Sequence, residues 1–170
     1  PPRVARAAME TGVATRPIAD FEAYERQLES FVFRSGMAMK PVFEKAKRNP
    51  QRIVFAEGES QRVINAAQQL VDDGICKPIL LGNPELIQRN IEAYDLRLKI
   101  GENITVVDPR NNPDYERHVE EHYAVMCRKG VTPTYSRRVM TARTTQIAAV
   151  MVRCGDADAM ICGVEGNFIS

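Results

Sequence analysis

Two histidines one helical turn apart, in His118-Val-Glu-Glu-His122, fit the pattern H-x-x-E-H. At that spacing two imidazoles can bind one metal ion while the glutamate serves as base, as in one class of zinc peptidases. A third ligand is then needed, and the only acids that follow are Asp156, Asp158 and Glu165. The motif reads as the polar flank of an amphipathic helix whose apolar stripe is Tyr115, Val119, Tyr123 and Met126, with no metal site. A second group, Glu57-Gly58-Glu59, sets two carboxylates just beyond the apolar run Arg52-Ile-Val-Phe-Ala56. Open α/β sheets place ligands beyond the carboxyl ends of their strands. Acids at a helix N-terminus equally complement its dipole, and both readings stand. One glycine is too few for a dinucleotide fingerprint or a P-loop, which need several to let backbone amides approach phosphate. Cys162-Gly163 ends another apolar run, but the histidines lie about 40 residues earlier, so Cys162 is read as packing.

Charge is distributed unevenly along the chain. Between His122 and Gly155 there is no Asp or Glu, while Arg128, Lys129, Arg137, Arg138, Arg143 and Arg153 supply six positive charges. The other 17 basic and 22 acidic residues are net negative, so the total of +1 conceals a dipolar molecule. A one-sign patch attracts anions. Only Tyr123 and Tyr135 interleave with it, which suits a small phosphorylated ligand better than the stacked bases of a nucleic acid. At roughly 100° per residue, Ser136, Met140, Arg143, Ile147, Val150 and Cys154 share one helical stripe. Arg143 is thus expected among apolar neighbours, where an unpaired charge costs on the order of several kcal/mol. Its partner would be an acid such as Glu57, Glu59 or Asp158, or a bound anion. Arg137 and Arg138 are expected to be solvated. The candidate anion-binding residues are Arg128, Lys129, Arg137, Arg143, Glu57 and Gly58, and no residue is assigned a catalytic role.

These groups must be positioned by elements that the sequence also marks. The chain has 170 residues, 44% of them hydrophobic and 26% charged, a globular composition with the length of one domain. No apolar run approaches the ~18 residues of a membrane span. Four cysteines without C-x-x-C spacing read as reduced thiols of a cytoplasmic protein. The chain opens on Pro-Pro-Arg and stops after Gly-Asn-Phe-Ile-Ser, and is expected to be an internal fragment. Helical patterns cover residues 3–11, 20–34 and 37–48. Beyond them, strands near 52–56, 78–81, 104–107 and 159–162 alternate with helices at 60–73, 84–94 and 112–130, and with one long helix from Thr132-Pro133 to about Arg153. That rhythm predicts an α/β fold, a parallel sheet with helices on both faces. A boundary is placed near Gly36.

Val4-Ala-Arg-Ala-Ala-Met-Glu-Thr-Gly-Val-Ala-Thr-Arg-Pro-Ile-Ala-Asp20 closely resembles the end of the catalytic part of bacterial NADP-dependent malic enzymes of the large hybrid type. In those enzymes it runs into a phosphate acetyltransferase-like module. Residues 37–170 resemble the first half of that module in Lys40-Pro-Val-Phe-Glu-Lys-Ala-Lys, Arg52-Ile-Val-Phe-Ala-Glu-Gly-Glu, Arg62, Pro78-Ile-Leu-Leu-Gly-Asn-Pro, Arg128-Lys-Gly and Gly155-Asp-Ala-Asp-Ala-Met-Ile-Cys-Gly. The resemblance implies that residues 1–36 end a malic enzyme part and that 37–170 form one lobe of an architecture related to isocitrate and isopropylmalate dehydrogenases. It implies NADP, a divalent metal (Mg or Mn) and malate upstream of Pro1, acetyl-CoA as an effector, a CoA ester as small-molecule partner, and a homo-oligomer without nucleic acid or membrane. Active phosphate acetyltransferases follow the Gly155-x-x-Asp158 strand with Ser-Gly-Ala and then His-Ser, where this chain has Cys162-Gly-Val-Glu-Gly-Asn. The fragment alone is therefore expected to be inactive. The alternative is a working phosphate acetyl/butyryltransferase, moving an acyl group between CoA and phosphate.

Overall fold

A computed structural model describes residues 2–14, 18, 20–24 and 34–165. The chain divides into two compact units, residues 1–45 and 46–170. In the first unit, α1 (Pro2–Glu10) ends at Gly12, whose φ of +72° is left-handed. A helical turn at 21–24 follows, its start marked by Asp20 Oδ1 accepting from the Ala23 N–H at 2.9 Å. The rest of the helix expected over 20–34 lies outside the described residues. The division between the units falls within α2 (Arg34–Arg48).

The second unit is built on four parallel strands in the order β3-β2-β1-β4. They are β1 (Gln51–Phe55), β2 (Cys76–Leu81), β3 (Thr105–Val107) and β4 (Ala159–Ile161). The helices are α3 (Gln61–Asp72), α4 (Pro84–Ala93), α5 (Tyr115–Met126), α6 (Pro133–Ala142) and α7 (Thr144–Cys154). A 3-10 turn, Cys127–Lys129, follows α5 and stops at Gly130 with φ +83°. This is the predicted α/β sheet, its four strands where the sequence put them to within about two residues.

Strand alternation divides the core. On one side Val54, Ile79 and Leu81 pack with Val119, Val139, Met140, Ile147 and Met151 from α5, α6 and α7. On the other, Phe55 and Leu80 pack with Val63, Ile64, Ala67, Ile87 and Ile91 from α3 and α4. Two side-chain caps start helices of this unit, each just before a proline at the first helical position. Asn83 Oδ1 accepts from the Glu85 N–H at 2.8 Å, and Thr132 Oγ1 from the Tyr135 N–H at 3.2 Å.

Two expectations are corrected. The long helix from Thr132 is two helices, broken at Arg143, which leaves helical geometry at φ −113° and ψ 87°. The break resets the helical phase, so Arg143 is exposed rather than set among apolar neighbours. On α5 the inward stripe is turned by one residue from the expected one. His118 and His122 are buried at 2% and 6% exposure, while Tyr123 is 38% exposed. Each imidazole has at least one polar partner inside, which lowers the cost of burying it.

Candidate functional site

The turn after β1 staples the carboxyl edge of the sheet in two directions. Glu57 turns toward β4, its carboxylate accepting the N–H groups of Gly163, Val164 and Glu165 at 3.0–3.3 Å. Glu59 turns toward β2, where Oε1 accepts the Asn83 N–H at 2.7 Å while its carbonyl accepts from Asn90 Nδ2 at 3.0 Å. Between them Gly58 lies directly on β2 and donates its N–H to Leu81 O at 3.0 Å. A Cβ at Gly58 would stand 2.7 Å from that oxygen and 2.8 Å from Leu80 Cβ. Gly82, at φ +154°, leaves the space that the Glu59 side chain fills, since a Cβ there would lie 2.6 Å from Glu59 Cγ. Glu-Gly-Glu is thus a clamp across three strands, with no geometry that cradles a phosphate.

The strand order makes this edge the place where a ligand belongs. From β1 the chain winds outward to β3, then crosses to β4 on the other side of β1, so a topological switch point lies between β1 and β4. The Glu57 carboxylate and the backbone of 163–165 occupy it. Next to it Ser60 opens α3 without a side-chain cap bond, its buried hydroxyl lacking a hydrogen-bond partner among the described residues. One step outward, Glu59, Gly82, Asn83, Asp108, Arg110, Thr141 and Thr144 line a cleft of about 300 Å³. Asp108 is used locally, accepting the Arg110 N–H at 2.9 Å. Arg110 went unnoticed in the sequence, although Asp108-Pro-Arg directly follows the third strand at this edge.

The predicted anion residues do not converge. Glu57 and Gly58 belong to the clamp. Arg143 is exposed and falls in sequence between Thr141 and Thr144, which line the cleft, and none of the three acids expected to pair with it does so. Glu57 and Glu59 hold backbone, and Asp158 holds Arg52 through Oδ1 to Nη2 at 2.8 Å. Arg52 in turn keeps that carboxyl below the usual carboxylate range, chiefly through this side-chain hydrogen bond. Arg137 Nη1 donates to both carboxylate oxygens of Glu116, at 2.7 and 2.9 Å, and Arg153 pairs with Glu121. Two of the six patch cations are therefore neutralised by α5. Arg138 lies 5.2 Å over the Tyr135 ring. Arg128 and Lys129 are exposed on the turn beyond α5, and with Arg138 and Arg143 they make no ion pair among the described residues.

The two histidines serve different partners. His118 Nε2 lies 2.7 Å from Asp156 Oδ2, and Nδ1 lies 3.1 Å from Asn112 Nδ2. Asn112 Oδ1 accepts the Asp114 N–H at 3.0 Å, which turns the amide nitrogen to the ring and makes Nδ1 the acceptor. His118 is then the Nε2–H tautomer, donating to Asp156. Burial opposes the charge on Asp156, but hydrogen bonds from Arg117 and His118 outweigh it and hold the carboxyl below its usual range. Cys154 brings a third ligand-type atom within 4.8 Å, and burial raises its thiol. The Arg117 guanidinium, 2.7 Å from Asp156, makes this trio an ion-paired network. His122 points instead to Ser136, Nδ1 to Oγ at 3.0 Å, and Glu121 of the motif is taken by Arg153. H-x-x-E-H does not assemble one ligand set.

Comparison with known proteins extends this geometry. Residues 37–169 match the family model described as phosphate acetyl/butaryl transferase. Over 98% of its length the chain is 48% identical to the NAD-dependent malic enzyme of Rhizobium meliloti and 44% identical to the NADP-dependent malic enzyme of Salmonella typhimurium, spanning 22% of each. It is 34% identical to the phosphate acetyltransferase of Synechocystis over 66% of the chain and 16% of that protein. A phosphotransacetylase from Streptococcus pyogenes superposes on 76% of the chain, and on 38% of its own, with TM-score 0.67 at 22% identity. That likeness shows a shared fold. The resemblance to malic enzymes of the hybrid type holds across both halves of the chain.

Proposed function

Because this chain belongs to the phosphate acetyl/butaryl transferase family, we propose that it is the ligand-sensing lobe appended to a malic enzyme, which binds acetyl-CoA to regulate malate oxidation. The intact protein would decarboxylate malate oxidatively to pyruvate and CO2 with NADP and a divalent metal, in the cytoplasm and as a homo-oligomer. The Rhizobium relative is named for NAD, so NAD is the competing carrier. The described residues would take no step of that chemistry. What this lobe contributes is binding.

The observation that carries the reading is a carboxyl-edge cleft that holds the Arg110 cation and no reactive pair, its two carboxylates, Glu59 and Asp108, each accepting a backbone N–H. Arg110 lines it, Arg143 falls in sequence between the lining residues Thr141 and Thr144, and neither histidine lines it. CoA carries a pyrophosphate and a 3′-phosphate, and arginines are suited to such anions. Acyl transfer would need a nucleophile and base or a polar segment after β4, and there Glu57 binds the backbone of Gly163, Val164 and Glu165. Function on a shared fold resides in the site. The acyltransferase alternative is decided by an exchange assay with acetyl phosphate and CoA. The proposal expects no acetyl-CoA formation above background, and turnover by the purified chain would replace it with the transferase.

A further inference from the structure

His122 leaves one polar atom unexplained. The residue is 6% exposed, and its Nδ1 meets Ser136 Oγ at 3.0 Å, but Nε2 has no hydrogen-bond partner among the described residues. That nitrogen is not sealed in the core, because His122 lines a cleft of about 390 Å³ between α5, the 127–132 turn, α6 and α7. A cleft of this size is in the small-molecule range. It shares no lining residue with the cleft at the carboxyl edge.

We propose that the His122 cleft is a second ligand site of this lobe, one that takes a small organic anion, with a carboxylate or phosphoryl headgroup at His122 and Gln146 and a short apolar body against Met126 and Val131. Ser136 is fully buried, so it does not meet the ligand. Its hydroxyl positions the ring: when Oγ–H donates to Nδ1, Nε2 bears the proton and donates into the cleft. The Gln146 amide supplies a second donor type, and no lining residue is acidic. Arg128 and Lys129 immediately precede Gly130 on the rim, and Arg138 stacks on Tyr135, another lining residue. An anion suits that surround, whereas a cation would be repelled and a wholly apolar ligand would leave the buried imidazole unpaired.

The test is an imidazole ¹H–¹⁵N spectrum of the full-length protein, His122 assigned by His122→Gln. Inorganic phosphate, butyrate and butyl phosphate are titrated in turn at constant ionic strength. Butyrate or butyl phosphate should shift the His122 Nε2 signal saturably while His118 stays still, and the tighter of the two identifies the headgroup. Phosphate alone should bind about tenfold more weakly for want of the apolar body. Gln146→Ala, at an exposed position that leaves the fold intact, should weaken binding about fivefold, the loss of one hydrogen bond. No saturable shift with any probe, or a shift that chloride reproduces, overturns the site. So does binding that Gln146→Ala and Lys129→Ala together leave unchanged. Because the clefts share no residue, inhibition by acetyl-CoA is read separately from either result.

Discussion

Substituting Gly58 by alanine tests whether the clamp after β1 is seated as described. The added Cβ would meet Leu81 O at 2.7 Å, Leu80 Cβ at 2.8 Å and Leu81 N at 2.8 Å. All three belong to the backbone or first carbon of a central strand, so none can swing aside as a side-chain tip would. Overpacking of this kind costs about 1–3 kcal/mol. If the turn shifts to relieve it, the hydrogen bond from Gly58 N–H to Leu81 O is lost, about 1 kcal/mol more. A total of about 2–4 kcal/mol corresponds to a fall in Tm of about 4–16 °C for a chain of this size. The control is Gly74→Ala, where φ is +64° but nothing lies within 4 Å of a new Cβ, so only backbone strain is added. The assay is thermal unfolding by circular dichroism on both variants. If Gly58→Ala melts with the parent protein, or falls no further than Gly74→Ala, the turn does not lie against β2.

Asp156→Asn should lower Tm at neutral pH by weakening the bonds to Arg117 and His118. The folded carboxyl lies below the unfolded value of about 3.9, so its contribution is fully present above that pH and is lost as pH falls through the folded value. The gap between variant and parent should therefore close below about pH 4, and a gap constant through the acid range would refute the pairing. Arg143→Ala should leave Tm unchanged, since the side chain is exposed and makes no ion pair among the described residues. It should raise the acetyl-CoA concentration for half-inhibition by about tenfold if one charge-assisted bond is lost. A fall in Tm without a change in inhibition would make it a structural residue.

Local signals carried most of the fold. Cap residues at Asn83 and Thr132, left-handed glycines at 12 and 130, and four short apolar runs mark elements by chemistry within a few residues of each boundary. What the sequence hid depends on partners far away. His118 and His122 read as polar flank because hydropathy does not record Asp156, 38 residues on, or Ser136, 14 residues on. The acid-free stretch read as an unbroken cationic patch because Glu116 and Glu121, which neutralise Arg137 and Arg153, come from the preceding helix. The break at Arg143 has no proline or glycine to announce it. Its only local sign is the cluster Thr141, Thr144 and Thr145, residues of low helix propensity. Glu57 was legible as an acid at a helix start, but its reach to Gly163 spans 106 residues.

The regulatory assignment is tested most directly by titrating acetyl-CoA against malate oxidation, in the full-length protein and in a form truncated after residue 36. A regulator must bind two states of the enzyme with different affinity, and such couplings are typically about 1–3 kcal/mol, or about 5–150-fold. Acetyl-CoA should inhibit the full-length protein, and the truncated form should oxidise malate without responding to it. Inhibition of the truncated form at the same acetyl-CoA concentration would place the effector site outside this lobe and contradict the assignment.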